Sequence, residues 1–299
     1  MMLKNFGQME QFVREQSGKK RVALAAAHDA DALGSLMMAV DRGIAEAILI
    51  GRRKEIVRVL DEMGKDAGDF RIIEEEDDRA AADKAVELVH RGEADMPMKG
   101  LMHTSTFMKA ILDKEKGLKE DGNLLSQASV FEIPEKDRFL IISDCAVNID
   151  PDLETKIKIT ENAAALAHTL GIEQPKIAAL SAVEVVNPKI RSTVDAAAMR
   201  ERLSDRYLID GPLALDNAID EAAAHHKGIE SPVAGNADIL IVPDLWSGNI
   251  FSKGLVFFAH LRSAGTLNGL KAPVVMSSRT DTVENKYLSI LTAVLQTIR

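Results

Sequence analysis

The stretch RVALAAAHDADALGSLMMAVDRGIAEAILIG (21–51) decides the fold class. Residues 21–27 form a short apolar, β-leaning run. Residues 29–42 are a longer amphipathic stretch that starts at an aspartate, and 45–50 are a second short run closed by Gly51. The same alternation continues through a helix over 52–64, a strand over 70–73, a helix over 77–91, a strand over 96–102 and a helix over 104–114. A β-then-α rhythm of this kind predicts an α/β protein with mostly parallel sheets covered by helices. The polar stretch KEKGLKEDGNLL (114–125) reads as the crossing into a second lobe. Beyond it, runs at 128–133 and 138–143 are joined by the turn-forming PEKD, which predicts antiparallel neighbours. A helix over 152–170 ending at Gly171 follows. The rhythm then resumes with strands at 176–180, 207–210 and 239–242 and helices over 192–203 and 214–226. PDLWSGN (243–249) reads as a loop before a helix that begins near Ile250. Two strands, 266–270 and 274–276, and a helix over 281–298 complete the pattern.

Composition narrows the class. A chain of 299 residues has room for two lobes, and 46% apolar with 28% charged residues is the profile of an ordinary globular protein. One cysteine excludes an internal disulfide framework or a clustered zinc-thiolate site and suits a reducing, cytoplasmic setting. The polar start MMLKNFGQMEQFVREQ is not a secretory signal, and no apolar run approaches the ~20 residues of a membrane helix. With a net charge of −9, no basic stripe and few aromatic side chains, neither a nucleic acid nor a membrane is expected as a partner.

In open α/β folds, ligands collect where strands end and helices begin, because helix N-termini present free N–H groups to anions. The junctions here read HDAD (28–31), MHTST (102–106), SDCAVN (143–148), SAVEVVNP (181–188), DGPLALDN (210–217), PDLWSGN (243–249) and SSRTD (277–281). Much of this is ordinary capping chemistry, and Asp29, Thr104, Ser192 and Asp281 read first as caps. Arg279 does not fit that explanation. A cation at a helix start costs up to ~1 kcal/mol, whereas a guanidinium there can share a phosphate or carboxylate with the terminus. His28 and His103 stand at junctions, where each is either a site residue or a satisfied polar side chain. Cys145 reads as a small buried hydrophobe rather than a nucleophile. His225 and His226 are adjacent and diverge on a helix, so no metal constellation emerges. Nor is there a G-x-S-x-G elbow, a Walker loop or a dinucleotide fingerprint.

The segments MPMKGLMHTSTFMKAIL (96–112), FLIISDCAVNIDPDLETKIKITENA (139–163), LSAVEVVNPKIRSTVDAAA (180–198), DGPLALDNAIDEAAAHHKGI (210–229), SPVAGNADILIVPDLWSGNIFSKGLVFFAH (231–260) and KAPVVMSSRTD (271–281) resemble the phosphate acetyltransferase and phosphate butyryltransferase family, in its usual order and with wording closer to the butyryl branch. The resemblance implies a two-lobed fold related to isocitrate and isopropylmalate dehydrogenases, with the active site in the inter-lobe cleft. The lobes would be 1–125 plus 274–299 and 126–273. It also implies a homodimer, and the reaction acyl-CoA + phosphate = acyl phosphate + CoA by direct transfer, with coenzyme A as a substrate and no bound cofactor or metal.

Carried over by position, the family's serine-arginine pair falls on Ser278 and Arg279, beside Thr104 and Ser105 of the threonine/serine-rich loop as phosphate ligands. A second phosphate-site arginine falls on Lys109, which keeps the charge and loses the bidentate fork. The aspartate assigned in the acetyl branch as base for the thiol falls on Asn285, which cannot act as a base. Asp281 and Glu284 are the nearby carboxylates, and Asp281 is the catalytic candidate, although neither stands at the motif position. Asn249 and Lys253 would shape the cleft from the second lobe. Two other readings stand beside this one: a metal- and NAD-dependent 2-hydroxy acid dehydrogenase of the same fold, and a non-catalytic acyl-CoA or acyl phosphate binding protein.

Overall fold

Strand β1 (Lys20–Ala25) is the centre around which the first half of the chain folds. Val22 through Ala27 are almost wholly buried, which suits a strand covered on both faces. The computed structural model describes residues 1–16, 18–120 and 122–299, which divide into two units. A terminal unit comprises Phe6–Asn123 with Ala264–Arg299, and a middle unit comprises Met1–Asn5 with Leu124–Ser263.

In the terminal unit, α1 (Phe6–Glu15) leads into β1, α2 (Ala30–Asp41), β2 (Ala45–Gly51), α3 (Arg53–Glu62), β3 (Arg71–Glu74), α4 (Asp78–His90), β4 (Met96–Lys99) and α5 (Thr104–Ile111). The strands lie in the order β3-β2-β1-β4, all parallel, with Val22 opposite Ala47 on one side and Met96 on the other. Asp29 caps α2 as expected, accepting the N–H groups of Asp31 and Ala32. Helix α1 was not foreseen. Its apolar face is only Phe6, Met9 and Val13, set in an otherwise polar stretch.

The middle unit opens with β5 (Ser126–Ile133) and β6 (Arg138–Ser143), antiparallel as the short PEKD link predicts. After α6 (Leu153–Thr169), β7 (Lys176–Leu180), α7 (Arg191–Leu203) and β8 (Leu208–Leu213), the helix expected over 214–226 is two pieces. These are α8 (Leu215–Ile219) and α9 (Glu221–His226), separated by Asp220, whose carboxylate caps the second. Then come β9 (Ile239–Ile241) and α10 (Leu245–Phe257). PDLWSGN is therefore mostly helix rather than loop: Asp244 caps α10 through the Ser247 N–H, and Trp246 and Asn249 lie within it. Five strands of this unit run β5-β6-β9-β7-β8, with the last three pairings parallel. Phe131, Leu140, Ile142, Leu180, Leu213 and Leu240 belong to its core.

The chain returns along β10 (Ser263–Asn268) and ends in α11 (Val283–Gln296). Between them, residues 274–276 were expected as a full strand; they form a short parallel extension in which Met98 bridges Val275. Lys99 N–H donates to Val275 O, and Val275 N–H donates to Pro97 O. Every residue of α11 from Asn285 to Leu295 is buried, so this is a core helix packed on α1 and α2.

Candidate active site

Parallel strands deliver their C-terminal ends to one edge, and in the terminal unit three of those ends carry polar side chains. β1 runs out into His28 and Asp29, β4 into Lys99-Gly100 and then His103, and the 274–275 segment into Ser277–Asp281. Gly100 lets β4 approach β1. A Cβ there would lie 2.3 Å from Ala26 O and 2.6 Å from Ala25 O, so only glycine fits. The backbone then bonds across this contact, Gly100 N–H to Ala25 O at 2.8 Å and Leu101 N–H to Ala26 O at 3.1 Å.

Arg279 is exposed on the loop before α11, and its Nη2 donates to Nδ1 of His103 at 3.3 Å. A guanidinium only donates, so this bond requires a His103 ring with its proton on Nε2. His103, not Thr104, occupies the cap position of α5, and its side chain makes no capping bond. Among the described residues, the N–H groups and hydroxyls of Thr104 and Ser105 have no protein partner, so the first turn of α5 offers donors beside Arg279. Lys109 is exposed one turn beyond Ser105 on the same helix face, and no hydrogen bond or ion pair among the described residues joins it to Arg279.

The arginine loop holds its own shape. Asp281 accepts the Ser278 N–H at 2.7 Å and returns its own N–H to Ser278 O at 3.2 Å. The Ser278 hydroxyl lies 3.1 Å from that of Thr280. Asp281 does not cap α11; Thr282 does, through the Asn285 N–H. Asn285 is buried in the first turn of that helix.

Two lysines escaped notice in the sequence. Lys99 is buried at the end of β4, and Lys286 is buried on α11, donating to the carbonyl of Asp281. The available signal was a lysine closing an apolar run immediately before glycine, in MPMKG. Burial, then the neighbouring charge of Arg279, pushes the Lys99 ammonium below the usual lysine range; Asp29 pulls the other way. His28 is buried with Nδ1 unpartnered and Nε2 3.9 Å from Glu55 Oε2. No group of three or more metal-ligating side chains is arranged around a common centre among the described residues.

The remaining candidates belong to the middle unit. Asn249 donates to Cys145 O at 3.2 Å, and Lys253 is exposed one turn further along α10. Cys145 is buried, and burial together with the charge of Asp144 pushes its thiol up to about 12, far from a nucleophile's range. Ser192 is not a cap; it lies inside α7, with its hydroxyl 2.7 Å from that of Ser181.

A family model described as phosphate acetyl/butaryl transferase matches residues 79–294. The phosphate butyryltransferase of Clostridium acetobutylicum is 46% identical over 98% of this chain and 98% of its own length. The phosphate acetyltransferase of Thermotoga maritima is 42% identical over 94% of this chain and 97% of its own. Among solved structures, a branched-chain phosphotransacylase from Enterococcus faecalis matches with a TM-score of 0.83 at 35% identity, covering 93% of this chain and 98% of that one.

Proposed function

The chain belongs to the phosphate acetyl/butaryl transferase family, and from that premise we propose that it moves a short acyl group between coenzyme A and inorganic phosphate. The reaction is acyl-CoA + phosphate = acyl phosphate + CoA. The observation that carries this reading is the contact of Arg279 with His103, which sets a guanidinium beside the open first turn of α5, a pairing of cation and free donors suited to a phosphate. The dehydrogenase reading is not favoured, since relatives matching along almost the whole chain are named acyltransferases.

A phosphate oxygen attacks the thioester carbonyl, the C–S bond breaks, and the proton of hydrogen phosphate ends on the sulfur. Phosphate is already anionic at neutral pH, so the forward step calls for positioning more than for a strong base. Arg279 and Lys109, with Thr104 and Ser105, hold the phosphate. Ser278 donates to the developing oxyanion or to the leaving sulfur, a contribution worth ~3 kcal/mol for one preorganised donor. In reverse, cations near a thiol of pKa ~8.5 favour its thiolate, so a missing base at Asn285 is not fatal. Asp281 fits the role of holding the arginine loop at least as well as that of a base.

The remaining expectations rest on the sequence resemblance: two dehydrogenase-like lobes, 1–125 plus 274–299 and 126–273, with Asn249 and Lys253 shaping the coenzyme A side. A cytoplasmic setting is supported by the one free, buried cysteine. A homodimer is supported by the outer face of α10, where Trp246 is 57% and Ile250 72% exposed one turn apart, followed by Phe258 at 91%.

The test is phosphate-dependent thiol release across acetyl-, propionyl-, butyryl- and isobutyryl-CoA. The fastest release is expected with a four-carbon chain. Flat traces with all four, alongside saturable CoA binding, would leave a binding protein instead. An isolated acyl-enzyme would replace direct transfer with a covalent route.

A further inference from the structure

Lys99 is 5% exposed, yet among the described residues its ammonium makes one hydrogen bond, to Gly100 O at 3.3 Å, and pairs with no carboxylate. Lys286, 3% exposed, donates to a backbone carbonyl rather than to an acid. The acidic groups that act on Lys99 are Asp29 and Asp281. Asp29 gives an oxygen to the N–H groups of Asp31 and Ala32, and Asp281 gives one to Ser278. Three cations, Lys99, Lys286 and Arg279, are thus gathered near two carboxylates already engaged with backbone. An ammonium taken out of water without a counter-ion is strongly disfavoured, and an incoming anion removes that penalty.

We infer that Lys99 is a phosphate-binding residue, its ammonium joining the Arg279 guanidinium on the phosphoryl oxygens of inorganic phosphate and of acyl phosphate. The inference rests on the acyl transfer proposed above and adds to it a ligand that the family motif did not supply. Lysine suits the place, because a compact ammonium on a flexible stem reaches from a buried strand end more readily than a bulkier planar fork.

The protonation of Lys99 makes the assignment measurable. In the empty site its proton is loosened by burial and by Arg279 and Lys286, and retained by Asp29 and Asp281. His28 at the end of β1, with Glu55 3.9 Å from its Nε2, His103 before α5 and Lys109 on α5 also stand at this edge. A bound dianion raises the affinity of Lys99 for its proton. Phosphate affinity is therefore full while Lys99 is protonated in the empty site, and it falls as pH rises through the lowered value.

Calorimetric titration of the full chain with inorganic phosphate alone, beside steady-state kinetics, tests this. Lys99→Met should weaken phosphate binding and raise KM for phosphate roughly ten- to hundredfold, the scale of one lost charged hydrogen bond. KM for acyl-CoA should stay within about twofold, and the fall of phosphate affinity at alkaline pH should flatten. Lys99→Arg should recover part of the loss. Phosphate should raise the unfolding temperature of the wild type and not of the methionine variant. Should Lys99→Met not fold, Lys99→Gln carries the same comparison. A folded Lys99→Met with wild-type phosphate affinity and an unchanged pH profile overturns the inference while leaving acyl transfer intact. A wild type that binds phosphate but releases no thiol overturns the transfer reading and leaves the ligand role of Lys99 standing.

Discussion

Replacing Asp281 by asparagine removes a charge and keeps an acceptor; replacing it by alanine removes both. The carboxylate holds the Ser278 N–H at 2.7 Å, and the Asp281 N–H returns to Ser278 O, so this reciprocal pair closes the turn on which Arg279 rides. A hydrogen bond to a charged group contributes ~1.5–3 kcal/mol and a neutral one about 1 kcal/mol. If Asp281 serves to hold the turn, Asp281→Ala should lower kcat/KM by roughly 10- to 150-fold, at ~1.36 kcal/mol per decade. Asp281→Asn loses only the difference between the two kinds of bond and should stay at least about fivefold better than alanine. Acyl-CoA formation from acyl phosphate and CoA, the direction in which the thiol loses its proton, reads both variants when measured across pH. A general base predicts another pattern, with both variants equally impaired by ~10²–10⁴-fold, because neither can take a proton. Equal, severe losses together with a vanished acidic limb in the pH profile would refute the turn-holding argument.

Arg279→Gln should lower kcat/KM by roughly 10²–10⁴-fold through loss of a charged, forked contact, with Arg279→Lys intermediate; wild-type rates in the same assay would remove Arg279 from the site. Cys145, buried with its thiol pushed up to about 12, should resist iodoacetamide at pH 8 in the native protein and react in denaturant. Rapid native labelling with loss of activity would contradict that burial. Gly100→Ala places a Cβ 2.3 Å from Ala26 O and disturbs two backbone bonds. It should cost ~2–4 kcal/mol in urea unfolding, and an unchanged midpoint would show that the strands can part freely. Ile250→Asp, at a 72% exposed position on α10, should shift sedimentation from dimer to monomer, and a wild type that already sediments as a monomer disposes of the dimer.

The strands and helices were legible where period and punctuation agree. The 21–51 stretch reads as β-α-β because its buried runs are uniformly apolar and an aspartate and a glycine mark their ends. Errors came where one residue type serves two purposes. Pro243, Gly248 and Asn249 suggest a loop, yet Asp244 caps a helix that runs through the last two. Asp220 breaks a seemingly continuous helix because its carboxylate starts the next one. Arg279 betrayed itself as a cation where a helix start disfavours one. Lys99 did not, since the segment that pairs with the backbone of its strand, 274–275, lies some 175 positions away. Long-range pairing of that kind leaves no local pattern.

The terminal unit is built from segments separated by the 140 residues of Leu124–Ser263. At ~5–20 residues per second of synthesis, roughly 7–28 s pass between completion of its first segment and arrival of its second. Through that interval β4 is an unpaired edge, and the space later filled by α11, buried from Asn285 to Leu295, stands open against α1 and α2. A nascent chain in this state exposes both a strand edge and a wide apolar surface, the two features that invite wrong partners. Translation speed across the middle segment, and chaperone capture of the waiting half, thereby become determinants of yield. Fragments ending before residue 264 should gather in aggregates even when every residue they contain is wild type.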